Sequence, residues 1–269
     1  MVEIFDNIHK IYQYKAPCEE LKDYIEFFSE SSFEATSRHI ANKCFSVKLF
    51  PSWTPTFWIN LGSPYQLFLG EKQYFIQSQE DVLILRNTIA ERHNLPTDHI
   101  FTVKFFPGGL EAIFDINQPR LTDKVVSLSA ILPGQLIQEV KKANTFEERM
   151  TMLQDFFLSL FNKKNNREYY FRIVQKAIET YSGSNMELNN GEIAKEMFAT
   201  NKTIYRYFTN VIGTTPKNYF SVLRARKALL SYVENKELFS PYDYGYYDMS
   251  HFYKEVVKFT GKKLIENFR

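Results

Sequence analysis

Residues 189–213, NNGEIAKEMFATNKTIYRYFTNVIG, decide how the C-terminal part of this chain folds. Asn189 and Glu192 have the spacing of a capping box, in which the first side chain accepts a free helical N–H and the carboxylate reaches back to the cap. Ile193, Ala194 and Met197 follow as the apolar stripe of a short helix. Thr200 then caps a second helix, with Asn201 beside it, in which Ile204, Phe208 and Val211 or Ile212 face inward and Gly213 ends the run. Two short helices joined by a tight turn form a helix-turn-helix, and the second presents Lys202, Tyr205, Arg206 and Thr209 on its solvent side.

The stretch has a second copy. TIYRYFTNVIG at 203–213 is matched 48 residues later by HFYKEVVKFTG at 251–261. Ile204 falls on Phe252, Tyr205 on Tyr253, Arg206 on Lys254, Phe208 on Val256 and Gly213 on Gly261, so apolar positions stay apolar and the exposed cation stays a cation. His251, Tyr253, Lys254 and Lys258 are the outward candidates of the second copy. Between the copies, Pro216 opens a segment that runs to about Glu234 and carries Arg224, Arg226 and Lys227. As a helix it is roughly 25–30 Å long. That length suits two recognition helices about one DNA turn, roughly 34 Å, apart.

A helix fits the major groove, where a guanidinium binds guanine O6 and N7 and other cations find phosphates. Arg206 is the candidate base reader. A lone arginine is more often a solvated surface charge; here the repeat, the caps and the local charge favour recognition. Tyr205 and Lys202 read equally as surface residues or as contacts to the sugar-phosphate backbone.

Charge supports the division. The net +2 of the 269 residues conceals 15 Lys+Arg against 20 Asp+Glu in residues 1–162, and 18 against 11 in residues 163–269. The halves carry −5 and +7, the asymmetry expected when a part that meets a polyanion is joined to one that does not. The polar run at 162–166 is read as the boundary between domains 1–162 and 163–269. With 44% hydrophobic and 24% charged residues the chain is neither disordered nor collagenous. Cys18 and Cys44 are too few for a disulfide framework and are expected as small buried side chains. Neither a secretory signal nor an apolar run of about 20 residues is read, so a soluble cytoplasmic protein without membrane contact is expected.

The first half reads as an antiparallel sandwich or barrel. A helix is expected at 17–28, with Leu21, Tyr24, Ile25 and Phe28 on one stripe. β-rich runs follow at 44–50, 57–61, 65–69, 74–76, 82–86 and 99–106, punctuated by Pro51, Pro55, Gly62, Pro64, Gly70 and Pro96. Thr145 and Glu148 form another capping box, opening a helix with Met150, Leu153, Phe157 and Leu160 on one face. Paired with 135–143 it gives a helical hairpin, a candidate homodimerisation surface. The fold class is therefore α+β: a β sandwich or barrel with a helical hairpin, then an all-α domain with two helix-turn-helix motifs.

Residues 189–269 resemble the paired helix-turn-helix domain of the AraC-type transcription regulators. The matching positions are Ile193-Ala194, Thr200, Ile204, Arg206, Phe208, Gly213, Pro216, Tyr219 and Arg224, then Gly245-Tyr246-Tyr247-Asp248, Ser250-His251-Phe252, Lys254 and Phe259-Thr260-Gly261. The resemblance implies recognition helices at 201–212 and 250–260, each in a major groove on one face of double-stranded DNA, with RNA polymerase as a candidate partner. The chain departs from the pattern where Ser240-Pro241 replaces an Ile-Ala pair, where Val256 replaces an aromatic, and where Lys262-Lys263-Leu264 replaces a proline. Ser240 as cap, Pro241 first and Asp243 third start a helix that Gly245 cuts to barely one turn. The second motif is therefore expected to be shortened and to give mainly phosphate contact through Lys254, Lys258 and Lys262.

The first half more weakly resembles the cupin-like sensor of such regulators, through Asn60-Leu61-Gly62, Phe106-Pro107-Gly108-Gly109-Leu110 and Leu121-Thr122-Asp123. The resemblance implies a small-molecule effector. Trp53, Phe57, Trp58 and Asn60 are candidates to line its pocket, each aromatic having core packing as the alternative. His9, His39, His93, His99 and His251 include no pair at metal-ligand spacing, and His93 and His99 read as surface or turn residues. Pro107-Gly108-Gly109 lacks the Lys-Ser/Thr of a phosphate loop and reads as a turn, and no GxSxG is present. No catalytic residue, metal or cofactor is expected. The rival expectation is a degenerate regulator, a ligand- or protein-binding module that no longer reads DNA.

Overall fold

The computed structural model describes residues 3–4, 8–40, 43–161 and 168–261. The elements of the first half are β1 (Glu3–Ile4), α1 (Ile8–Ile11), β2 (Tyr12–Lys15), β3 (Ile25–Ser31), α2 (Phe33–Ile40), β4 (Phe45–Leu49), β5 (Thr56–Asn60), β6 (Tyr65–Leu69), β7 (Lys72–Ile76), β8 (Val82–Leu85), β9 (Ala90–Asn94), β10 (Ile100–Phe105), α3 (Gly109–Phe114), β11 (Lys124–Ser127), α4 (Gly134–Lys142) and α5 (Phe146–Phe161). Two sheets form, in the orders β1-β4-β9-β6-β7 and β11-β8-β5-β10-β3-β2, with antiparallel pairing throughout both. Consecutive residues of a strand face opposite ways, so the burial pattern tells what covers each sheet. In the first sheet β6 alternates between buried and half-buried, and one face meets solvent. In the second, β5, β8 and β10 are buried at every position.

Two apolar clusters account for that difference. Trp58, Tyr65, Leu67, Val82, Ile84 and Ile100 fill the space between the sheets. Phe57, Ile59, Leu83, Leu85, Phe101 and Val103, from the opposite face of the second sheet, pack against α3, α4 and α5, and this cluster continues into the C-terminal helices. These are α6 (Glu168–Gly183), α7 (Asn190–Glu196), α8 (Asn201–Val211), α9 (Pro216–Glu234) and α10 (Met249–Thr260). The stripe Phe171, Val174 and Tyr181 of α6 is buried within the cluster. The α+β class thus holds, with a sandwich, the α4–α5 hairpin and an all-helical C-terminal region. The charge reversal at 162–166 lies outside the described residues, as does Lys262.

Several expectations are corrected. Residues 17–28 form no α-helix: a 3-10 turn at Glu19–Leu21 leads into β3. Leu21, Tyr24, Ile25 and Phe28 are all buried, as the stripe requires, but a turn plus a strand covered on both faces buries the same set. Pro107 and Gly108 form the expected turn, closed by the Gly109 N–H donating to the Phe106 carbonyl at 2.9 Å, and Gly109 also opens α3. Cys44 is exposed, Cys18 is half-buried, and both thiols are free. His99 is more than a surface residue: its Nε2 lies 2.9 Å from the buried Glu30 carboxylate, which also accepts from Arg149 Nη1 at 3.1 Å. That pairing ties α5 to the sandwich. The Thr145–Glu148 capping box forms as expected, with Glu148 N–H donating to Thr145 Oγ1 and Thr145 N–H to Glu148 Oε2. Among the described residues no helix is long and apolar enough to cross a membrane.

Candidate nucleic-acid interface

Local rules build the first motif. Asn189 Oδ1 accepts from the Gly191 and Glu192 N–H groups while Glu192 Oε2 accepts from Asn189 N–H at 2.7 Å, completing the box that opens α7. Ile193 and Ala194 are buried and Met197 is half-buried. Thr200 Oγ1 accepts from Thr203 N–H at 3.2 Å and starts α8. Ile204, Phe208, Val211 and Ile212 turn inward, so both alternatives for the last inward position are used. Tyr207 is also buried, packed edge-on to Tyr170 and beneath the Arg206 guanidinium 5.4 Å from its ring.

The second motif repeats the exposed second helix of the first on a different support. Where α7 stands in the first motif, Pro241–Tyr244 forms a single 3-10 turn closed by Gly245. Ser240 makes no side-chain cap bond, which corrects its expected role. Asp248, the counterpart of Thr200, caps α10 by accepting from His251 N–H at 2.7 Å. Phe252, Val256 and Phe259 are buried, and Gly213 and Gly261 end the two helices with φ of 93° and 67°.

A bidentate ion pair compensates for the missing helix. Arg224 of α9 donates from Nη2 to Glu255 Oε1 at 2.9 Å and from Nε to Oε2 at 3.1 Å, and its guanidinium lies 4.6 Å from the Tyr246 ring. Arg224 also donates to the Gly245 carbonyl. Burial works against its charge, but Glu255 prevails and raises the guanidinium pKa. Sequence reasoning placed Arg224 in the basic helix and missed that it staples the second motif. The signal was available, since Glu255 follows the repeated cation at Lys254.

The outward residues share one environment. Thr200, Asn201, Lys202, Tyr205 and Arg206 on the first motif, and His251, Tyr253, Lys254 and Lys258 on the second, are exposed. Thr209 is half-buried, and its hydroxyl donates to the Tyr205 and Arg206 carbonyls of its own helix. At 19 residues, α9 spans about 28 Å between the motifs.

The four effector candidates do not share a cavity. Along β5, Phe57 faces the helical cluster with Phe105 and Phe157, whereas Trp58 faces the sandwich interior against Tyr65 and the Arg92 guanidinium. Asn60 braces a turn, donating from Nδ2 to the Ser63 and Gln77 carbonyls and accepting from Gly62 N–H. Trp53, buried and at a φ of 49°, meets the Tyr219 ring of α9 at 5.8 Å. The cavity beside Trp58 measures about 30 Å³, room for a water or two.

The second sheet and its loops also touch the C-terminal helices. Tyr24 stacks on Phe171 at 5.0 Å, Gln175 Nε2 donates to the Pro107 carbonyl at 3.1 Å, and Phe50 lies 6.3 Å from Phe259. Gly108, at φ 83°, lets Val211 approach so closely that a Cβ there would stand 2.5 Å from Val211 Cγ1.

No protein-family model and no curated protein matches the sequence. Among solved structures, similarity is found to ToxT from Vibrio cholerae, 13% identical over 96% of this chain and 98% of that one, with a TM-score of 0.48. Wild-type ToxT bound to an unsaturated fatty acid is 14% identical over 84% of this chain and 90% of that one, with a TM-score of 0.45. The AraC-like transcriptional activator CuxR is 12% identical over 85% of this chain and 89% of that one, with a TM-score of 0.32.

Proposed function

We propose that this protein is a sequence-specific DNA-binding transcription regulator whose N-terminal sandwich senses a small effector. One observation carries the reading: two helices, α8 and α10, capped at equivalent positions, each expose a cation at the equivalent position, Arg206 and Lys254, and are joined by α9. Two such helices about one turn of B-DNA apart address successive major grooves. Arg206 reads a base, and Lys202, Lys254 and Lys258 neutralise phosphates. The role is recognition rather than catalysis.

Fluorescence anisotropy of the full chain on labelled duplexes tests this. Affinity is expected to fall steeply between about 50 and 200 mM salt, because bound cations displace condensed counterions. Arg206→Ala is expected to weaken the preferred sequence about tenfold and to relax preference at one base pair. Failure to bind any duplex at low salt would support the second reading, a degenerate regulator that binds a protein or ligand instead. The observation behind that alternative is the one-turn support of the second motif, with Tyr242 and Tyr247 exposed around it.

A further inference from the structure

Each motif shows a bare aromatic ring in the turn that leads into its capped helix. In the first motif Phe198 is 99% exposed, and in the second Tyr247 is 83% exposed. Phe198 stands two residues before Thr200, the cap of α8, and Tyr247 stands immediately before Asp248, the cap of α10. The fold does not require the first ring. Phe198 closes α7 at a φ of 51°, its N–H donating to the Lys195 carbonyl and the Ala199 N–H to the Ala194 carbonyl, both at 2.9 Å. A bulky residue is unfavourable in that left-handed conformation, which glycine adopts freely at the end of a helix. In the second motif the left-handed position falls to Gly245, at φ 66°. The first motif thus holds a strained phenylalanine whose ring gains nothing from packing, and backbone strain of this kind concentrates where a ligand is held.

The placement of the rings selects the partner. Each precedes a helix that exposes a cation, Arg206 on α8 and Lys254 on α10, and Lys195 and Lys202, on either side of Phe198 in the sequence, are exposed as well. The same display occurs on two supports that otherwise differ, a full helix in the first motif and a single 3-10 turn in the second. A protein partner would meet the two motifs with two different surfaces. Duplex DNA meets both with the same one, because its sugar-phosphate backbone repeats beside every groove. The start of a helix that enters the major groove lies next to that backbone, where an apolar ring can cover a deoxyribose and a phenol can also donate to a phosphate oxygen.

We propose that Phe198 and Tyr247 are contacts to the DNA backbone, each ring packing on a deoxyribose at the edge of its motif's groove and the Tyr247 hydroxyl donating to a phosphate. The assignment rests on the DNA-binding reading and adds to it a share of the affinity that is apolar, independent of base sequence and insensitive to salt.

The test is fluorescence anisotropy of the full chain on a panel of labelled duplexes at several salt concentrations. Phe198→Ala is expected to weaken binding about fivefold on every duplex alike, the loss of one partly covered ring. An apolar contact releases no counterion, so the slope of log affinity against log salt is expected to stay at its wild-type value. Tyr247→Ala is expected to weaken binding by a similar factor, and Tyr247→Phe, which keeps the ring, by less. Phe198→Gly separates recognition from folding: it relieves the left-handed strain and removes no packing, so the urea midpoint is expected to hold or rise while DNA affinity falls about fivefold. If Phe198→Gly and Tyr247→Ala both bind as tightly as the wild-type chain, the proposal is overturned and the rings belong to a protein interface. A shift in preference at particular base pairs would also overturn it, in favour of base contact. Failure of the wild-type chain to bind any duplex at low salt would remove the DNA reading itself, so the two failures are told apart.

Discussion

The two helix-turn-helix units present the same outward face on unequal supports. In the first, α7 has a complete capping box and buries Ile193 and Ala194 beneath α8. In the second, Pro241 leaves a single 3-10 turn, and the Arg224–Glu255 pair, with the buried Tyr246 ring beside it, holds α10 instead. The second helix of such a unit thus needs a fixed position rather than a particular neighbour, and a largely buried ion pair can replace an apolar helix face. The replacement is vulnerable in a different way. Losing one methyl group from an apolar interface is graded, whereas losing one partner of a largely buried pair leaves an uncompensated charge. Glu255→Gln is therefore expected to have the largest effect, about 3 kcal/mol lost in urea unfolding. A loss below about 1 kcal/mol would mean that the 3-10 turn supports α10 unaided.

The sandwich also meets the motifs unequally. Val211 at the end of α8 sits against Gly108, whereas a Cβ added to Gly261 at the end of α10 would stand at an ordinary contact distance of 3.5 Å from Ile89 Cδ1. Gly108→Ala forces a left-handed alanine and pushes Val211 aside, and is expected to cost about 2 kcal/mol of stability. Ile89→Ala at the second contact is expected to cost about half as much, because the residue is only half-buried. Comparable losses from the two substitutions would show that the sandwich grips both motifs equally.

These contrasts were partly legible in the sequence. The caps, the inward stripes and the terminal glycines of α8 and α10 follow from local rules, and the structure places each where spacing puts it. Strands with punctuation on both sides, such as β5, β6 and β8, were equally readable. The error at residues 17–28 arose because the sheet containing β3 is covered on both faces, so its strands lack the alternation that separates them from helices. Strand β9 escaped notice because Ala90-Glu91-Arg92-His93-Asn94 looks polar throughout. Arg92 is nevertheless inside the sandwich, 3.2 Å from the buried Asp98, and a pairing that crosses a turn has no local periodicity.

The caps give a finer comparison. Thr200 and Asp248 make the same bond three residues on, at 3.2 and 2.7 Å. Thr200→Ala and Asp248→Ala are each expected to lower stability by about 1 kcal/mol, the aspartate by slightly more because its charge faces the positive end of the helix dipole. A null result at Asp248 would indicate that the ion pair alone organises the start of the second helix.

The smallest effect bears most directly on how the two units divide recognition. Lys254 occupies the position of Arg206, but an ammonium is a point charge, without the planar fork that pairs with guanine O6 and N7. It is exposed on α10, and under the proposed function its partner is a phosphate, which has the same charge beside every base pair. Lys254→Ala is therefore expected to weaken binding by less than about 1 kcal/mol, uniformly across sequences, and to reduce the slope of log affinity against log salt by about one. Anisotropy on a panel of single-base operator variants measures both quantities at once. If Lys254→Ala changed the preference at particular base pairs while Arg206→Ala weakened all sequences alike, the assignment of base reading to the first motif would be reversed. The better-supported helix would then be the one that only holds the backbone.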